Sequence, residues 1–179
     1  MIVTVSPDAS ISLPEYHVGQ AAETCIYPGI AQCFAIAGWL QNGMLCTHVS
    51  PGATKSDIAD TFASLRDMGG ENVMFWYVVG PFTQHFAVNK AQWRSVKDIK
   101  KTFRKEFSNK QADHWILDAT AERNTKRLYP GIDIPMTFSS IDIMAEHRGW
   151  ENIIWFSYKE HSSKVTQWNR FNSSKFVRF

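Results

Sequence analysis

The sequence predicts an α+β fold in which two main helices pack on a mostly antiparallel central sheet or sandwich. Apolar segments of strand length outnumber amphipathic segments of helical length. Their order also lacks the regular strand–helix–strand alternation that a parallel sheet requires. The 179 residues are 44% hydrophobic and 20% charged, as in an ordinary globular protein, so we expect a single domain over residues 1–179.

Five short strands are predicted in the N-terminal third. The first three cover residues 2–5, 16–18 and 24–27, and Pro28-Gly29 is expected to end the third. Residues 33–37 and 44–49 are predicted strands that carry apolar residues on both faces. This pattern indicates inner strands that are covered on both faces.

The first helix is predicted to begin after Thr54, because Thr54 and Asp57 resemble a capping box, and to end at Gly69-Gly70. A buried strand follows at 73–79. The second helix begins after Ser95 and carries a buried aromatic stripe opposite a basic face. Further predicted elements are strands at 114–119, 136–139 and 152–158 and a polar C-terminal tail over residues 163–179.

Charge and hydropathy exclude two classes of partner. The formal net charge is +2, from 19 basic and 17 acidic residues, whereas nucleic-acid-binding domains usually carry a clear basic excess. No apolar run approaches the roughly 18 residues of a membrane span. We therefore expect neither nucleic acid nor membrane as a partner, and the sequence indicates no oligomeric state.

The cysteine content and the N-terminus suggest a reducing compartment. The start, "MIVTVSPDAS", lacks the charged and apolar regions of a secretory signal. Three cysteines cannot all pair with one another. The expected location is the cytoplasm, or the cytosol of a host cell after export as a toxin or effector.

Cys33 and His48 form the candidate catalytic pair, and the register of their hairpin decides whether they meet. A two-residue turn at Asn42-Gly43 places Cys33 about 13 Å from the residue opposite His48, at about 3.3 Å per residue. A four-residue loop over 39–42 places Cys33 directly opposite His48, with Cβ atoms about 4.5–5.5 Å apart. The flanking glycines, Gly38 and Gly43, favour the longer loop.

Such a pair has a defined chemistry. A thiolate is the nucleophile, and a neighbouring imidazole accepts the thiol proton and later returns it to a leaving group. A third group usually orients the imidazole. Two alternatives stay open from the residues alone. Cys33 is a buried thiol in a non-catalytic protein-binding module, or a structural zinc site is built from Cys25, Cys33, Cys46 and His48.

The segments "GIAQC", "FAIAGW", "QNGM" and "CTHVSPG" resemble the family of the chemoreceptor glutamine deamidase CheD. The deamidase domains of the cytotoxic necrotizing factor toxins are more distantly similar. In that superfamily a glycine-containing turn precedes a nucleophilic cysteine, and a later strand ends in the catalytic histidine. A helix, a glycine break and an apolar strand, here within "NVMFWYVVGPF", then follow in the same order as in that superfamily.

The resemblance implies a CheD-like deamidase fold and a cysteine-dependent hydrolase that converts a protein glutamine side chain to glutamate through a thioester. Transglutamination is a close variant, and neither reaction needs a cofactor or metal. The family's third catalytic residue is a threonine six positions before the cysteine, where this chain has Tyr27, and Thr24 is the nearest substitute. The implied site comprises catalytic Cys33, His48 and Thr24 and substrate-binding Gln32, Thr47, Ser50, Gly80 and His85.

Overall fold

The computed structural model describes residues 2–108, 112–119, 129, 139–161 and 166–178. The helices are α1 (Lys55–Asp67), α2 (Phe82–Phe86) and α3 (Val96–Glu106). The strands are β1 (Val3–Ser12), β2 (His17–Ile30), β3 (Phe34–Leu40), β4 (Gly43–Val49), β5 (Phe75–Gly80), β6 (Asp113–Asp118), β7 (Ile141–Arg148), β8 (Ile153–Glu160), β9 (Asn169–Arg170) and β10 (Val177–Arg178).

The ten strands of the described residues form one sheet in the order β10-β6-β5-β3-β4-β2-β7-β8-β9, with β1 paired to β2. Two neighbouring pairs, β1–β2 and β5–β6, are parallel, and the others are antiparallel. The predicted α+β class with a mostly antiparallel sheet is therefore confirmed. Among the described helices, none has the length and apolar character that crossing a bilayer demands.

The sheet curls because β2 takes part in both of its halves. The first part of β2 pairs with β4 from Val18 to Ala21, and the second part pairs with β7 from Thr24 to Ile30. The C-terminal segment then links the two ends of the sheet, since β9 pairs with β8 and β10 pairs with β6. The predicted polar tail is thus part of the sheet within residues 166–178, and Phe171 is only 3% exposed.

Two hydrophobic clusters lie on opposite faces of the sheet. Along β3, Ala35 and Ala37 point into an inner cluster within the curled sheet, whereas Phe34 and Ile36 point into an outer cluster beneath the helices. Successive strand residues alternate between faces, so a strand buried on both sides is apolar throughout. Cys33 belongs to the inner cluster and has the same parity as Ala35.

The helix starts follow their local signals. Thr54 caps α1, with Asp57 completing the capping box, and the Ser95 side chain accepts from the Asp98 N–H at the start of α3. The short helix α2 and the strand β7 were not predicted. The predicted strands at 16–18 and 24–27 are one continuous strand, and the predicted strand at 136–139 lies outside the described residues except for its last position.

Candidate functional site

The β3–β4 hairpin closes through a register that differs from both predicted ones. Leu40 pairs with Gly43, which leaves Gln41-Asn42 as the two-residue turn and places Ala35 opposite His48. Both predicted connections, the Asn42-Gly43 turn and the 39–42 loop, are therefore wrong.

Gly43 explains this register, because it is a strand residue that neighbours β2. Its φ is 141°, a value that L side chains rarely adopt. A Cβ at Gly43 would stand 2.5 Å from the backbone oxygen of Ala21. The close approach of β2 thus requires glycine here, and the glycine is not a hinge of the loop.

Cys33 and His48 share the inner face of the hairpin as diagonal neighbours rather than as an opposed pair. Cys33 lies two residues before Ala35, the partner of His48. Diagonal neighbours on one face are typically about 7–8 Å apart, within reach of longer side chains. No hydrogen bond of the described residues joins the thiol to the imidazole.

The Cys33 thiol is covered and protonated in this conformation. The residue is 4% exposed, and its Sγ donates to Oε1 of Glu15 at 3.2 Å. Burial, together with the charge of Glu15, raises the pKa of Cys33 well above its ordinary value, and the Gln32 backbone and the Ser50 side chain oppose this rise. The predicted residue Ser50 thus lies beside the thiol.

His48 has the protonation state and tautomer of a general base. Its Nδ1 lies 2.9 Å from the backbone oxygen of Leu13, and a carbonyl oxygen only accepts, so Nδ1 carries the hydrogen. Burial lowers the pKa of His48, with the Leu13 carbonyl opposing, so the ring is neutral at pH 7. The Nε2 atom therefore holds the lone pair, and it is buried with no partner among the described residues.

Residues 13–16 connect β1 to β2 and pass over this pair; we call them the 13–16 strap. Its Leu13 end is fully buried and donates its N–H to the Ile26 oxygen at 2.8 Å. Its other end donates from Tyr16 N to the His48 oxygen at 3.1 Å. Glu15, between them, is exposed. The strap therefore supplies both the orienter of His48 and the partner of Cys33.

Sequence reasoning missed Leu13 and Glu15, and it selected Thr24 as the orienter. The Thr24 hydroxyl instead donates to the Ser10 Oγ at 2.6 Å, on the pair formed by β1 and β2. Pro14 signals a turn at this point of the sequence. The residues that Leu13 and Glu15 contact, His48 and Cys33, are too distant in sequence to be predicted from that turn.

Thr47, predicted to bind substrate, is also placed away from Cys33. It pairs with Ile36, which faces the outer cluster. Its hydroxyl donates to the His17 oxygen at 3.1 Å. The parity that puts His48 on the inner face necessarily puts Thr47 on the outer one.

The other predicted residues hold the loop that carries Cys33. His85 Nδ1 donates a hydrogen bond to the backbone oxygen of the exposed residue Gln32, at 2.7 Å. A Cβ on Gly80 would stand 2.5 Å from the Cys33 oxygen, so β5 approaches the loop closely at a residue without a side chain. Gln32, Gly80 and His85 thus lie next to the loop of Cys33. His85 is 1% exposed and stacks on Phe34, so it supports the loop from beneath and does not have the substrate-binding position that the resemblance implied.

The start of the same loop is held by a second set of contacts that the sequence did not reveal. The Gly29 N–H donates to Oδ1 of Asp142 at 3.0 Å, and His161 Nδ1 lies 2.5 Å from the same oxygen. Asp142 is 8% exposed. Gly29 has a φ of 69°, in the left-handed region that favours glycine. The loop is therefore anchored at its start, through Gly29, and directly before Cys33, through Gln32.

The zinc site predicted as an alternative is not formed. Cys25 and Cys46 are fully buried and interact with each other, and burial raises the pKa of Cys25. Cys33 instead lies at the strap, with Glu15 as its partner. Within the described part of the chain no three histidine, cysteine or acidic side chains converge on a point where a metal ion would bind.

Comparison of the chain with models of known protein families finds no match. Comparison with curated proteins finds none either.

Proposed function

We propose that this protein is a cysteine-dependent amidohydrolase that deamidates a glutamine side chain of a protein substrate, with Cys33 as nucleophile and His48 as base. The observation that carries the proposal is the state of His48. Its Nδ1–H is fixed by the Leu13 carbonyl. Its Nε2 lone pair is buried on the face that carries Cys33, and no group in the described part of the chain bonds to it. An oriented, neutral imidazole beside a thiol is the arrangement that nucleophilic catalysis by cysteine requires.

The reaction proceeds in two balanced steps. Rotation of the Cys33 side chain away from Glu15 brings Sγ toward Nε2 of His48, which accepts the thiol proton. The thiolate attacks the carboxamide carbon, the C–N bond breaks, and ammonia leaves with the proton from His48. Water, deprotonated by His48, then hydrolyses the thioester to a carboxylate and restores the thiol. We expect backbone N–H groups of the loop at 31–33 to stabilise the oxyanion.

Glutamine in a protein is the proposed substrate because the segments around Cys33 and His48 resemble the CheD superfamily. The product carries one negative charge where the substrate had a neutral amide. The same thioester, attacked by an amine instead of water, would give transglutamination. Neither route requires a cofactor.

The test measures glutamine turnover directly. An N-acylated glutaminyl-glycine dipeptide and a panel of unfolded proteins serve as substrates, and ammonia release and a gain of one mass unit at glutamine are recorded. We expect activity with the natural chain and with Cys46→Ala, whose thiol lies in the inner cluster. We expect none with Cys33→Ala or His48→Gln. If Cys33→Ala were as active as the natural chain, Cys33 could not be the nucleophile and the proposal would be overturned.

A second candidate function is a non-catalytic binding module, favoured by the burial of Cys33 and its protonated state. Iodoacetamide labelling separates the two. A nucleophilic thiol reacts much faster than the core thiols of Cys25 and Cys46. Labelling of Cys33 at the rate of those two, even after removal of the Glu15 carboxylate, would support the binding module.

A further inference from the structure

We propose that the 13–16 strap occupies the substrate groove of this protein and that Glu15 stands there as a built-in mimic of the reaction product. The inference rests on the proposed deamidase function for the class of substrate. It adds the position in which the side chain of a substrate would meet the thiol, and a way in which the free protein keeps that thiol protonated.

The position of Glu15 carries the inference. Its Oε1 lies 3.2 Å from the Cys33 Sγ. A glutamate side chain is what a glutamine becomes after hydrolysis of the thioester, so Glu15 sits where the product carboxylate would be found before release. An asparagine side chain is one carbon shorter and would not reach the thiol from the same backbone position. From a substrate backbone placed where the strap now lies, a glutamine side chain would therefore reach the thiol and an asparagine side chain would not.

The exposed Glu15 side chain can leave the thiol while the backbone of the strap stays in place. Leu13 is fully buried, and its carbonyl orients His48. Glu15, by contrast, is exposed. Tyr16 has a φ of 64°, in the left-handed region that is strained for a residue other than glycine. Tyr16 is nevertheless held by the hydrogen bonds from its own N–H to the His48 oxygen and from the Val3 N–H to the Tyr16 oxygen. It is therefore the Glu15 side chain, and not the backbone of the turn, that moves away from Cys33 to admit a substrate.

Exchange of Glu15 for a substrate also changes the thiol. The Glu15 charge is one of the causes that raise the pKa of Cys33. A carboxamide is neutral, so the thiolate forms more easily when a glutamine side chain replaces the carboxylate. Substrate binding thus removes the group that suppresses the nucleophile, and the free enzyme is protected from oxidation and alkylation.

The first experiment places a substrate in the groove within the chain itself. In Glu15→Gln the introduced glutamine lies at the Cys33 thiol, and we expect it to be converted to glutamate. Peptide mass spectrometry would record the gain of one mass unit at position 15. The double variant Glu15→Gln/Cys33→Ala should retain its glutamine, as should Gln20 and Gln41 in every variant, which serve as internal controls.

The second experiment measures the reactivity of the Cys33 thiol and does not depend on catalysis. In Glu15→Ala we expect iodoacetamide to label Cys33 about tenfold faster than in the natural chain. Removal of a unit charge at 3.2 Å gives about this change in water, and the burial of the thiol makes tenfold a minimum. Cys25 and Cys46 should keep their rates. Glu15 is exposed, so an unchanged urea midpoint is expected and would show that the fold is intact.

The outcomes separate this inference from the proposed function. Faster labelling with conversion at position 15 supports the product-mimic role. An unchanged labelling rate overturns that role, and so does a glutamine that persists at position 15. If the natural chain and Glu15→Ala nevertheless release ammonia from the dipeptide, the deamidase function stands without the strap. If neither releases ammonia and labelling still accelerates, the deamidase function fails, and the product-mimic role fails with it.

Discussion

His85 couples the stability of the protein to pH, and the size of the effect follows from its surroundings. The residue is 1% exposed and its ring stacks on Phe34 with centroids 3.9 Å apart. Burial lowers the pKa of His85 to about 4, and its bond to the Gln32 carbonyl opposes the change. In the unfolded chain a histidine has a pKa of about 6.5. Between these two values the unfolded chain binds a proton that the folded chain does not.

Stability must therefore fall as the pH decreases through this window. With pKa values of about 4 folded and about 6.5 unfolded, the loss between pH 7 and pH 5 is about 2 kcal/mol. Urea unfolding at both pH values, on the natural chain and on His85→Gln, isolates this contribution. Glutamine keeps a donor for the Gln32 carbonyl but does not titrate.

The quantity to compare is the difference between the two pH values, not the stability of either variant. We expect the natural chain to lose about 2 kcal/mol more than His85→Gln on going from pH 7 to pH 5. Other titrating groups contribute equally to both proteins and cancel. Equal losses in the two proteins would refute the reasoning, because His85 would then be protonated to the same extent in the folded and unfolded chains.

Three further substitutions test packing, hydrogen bonding and capping by urea unfolding. Gly38→Ala should destabilise by about 1–3 kcal/mol, because its Cβ would stand 2.6 Å from Trp76. Gly149→Ala, where the nearest atom is 3.5 Å away, is the control and should lie within about 0.5 kcal/mol of the natural chain. Tyr27→Phe should lower the free energy of unfolding by about 1–3 kcal/mol, since the buried Tyr27 hydroxyl donates to a β3 carbonyl at 2.7 Å. An unchanged free energy of unfolding would mean that this carbonyl is satisfied without the hydroxyl. Thr54→Ala should lower the free energy of unfolding by about 1 kcal/mol, because it removes the N-cap of α1, whereas Thr54→Ser keeps the hydroxyl and should lower it much less. Equal losses in the two variants would contradict a capping role.

Elements with local signals were predicted well. The capping residues Thr54 and Ser95 mark the starts of α1 and α3 because their side chains bond to N–H groups only three residues away. The apolar segments also predicted the β3–β4 hairpin with His48 on its second strand, but Cys33 lies in the loop just before β3 and not on the strand. In contrast, β7 was missed, although Ile141, Ile143 and Ala145 face the inner cluster.

The hairpin register could not be predicted from the turn alone. Gly43 was interpreted as part of a turn or as the end of a loop, and it proved to be a strand residue packed on the Ala21 backbone. That contact involves a strand more than twenty positions away. Thr24 failed as an orienter for a related reason: nearness in sequence to Cys33 does not place it on the surface that faces His48.

The sequence alone was sufficient for the class of fold and for the starts of α1 and α3, because these depend on side-chain periodicity and on contacts between near neighbours. Cys33 and His48 were chosen as a pair from a hairpin register that the structure corrects. Only the tertiary structure placed the 13–16 strap over that pair, with Leu13 holding the imidazole and Glu15 holding the thiol. The curl of β2 brings the β1–β2 connection onto the β3–β4 hairpin, and such a contact between distant segments leaves no periodic trace in the chain.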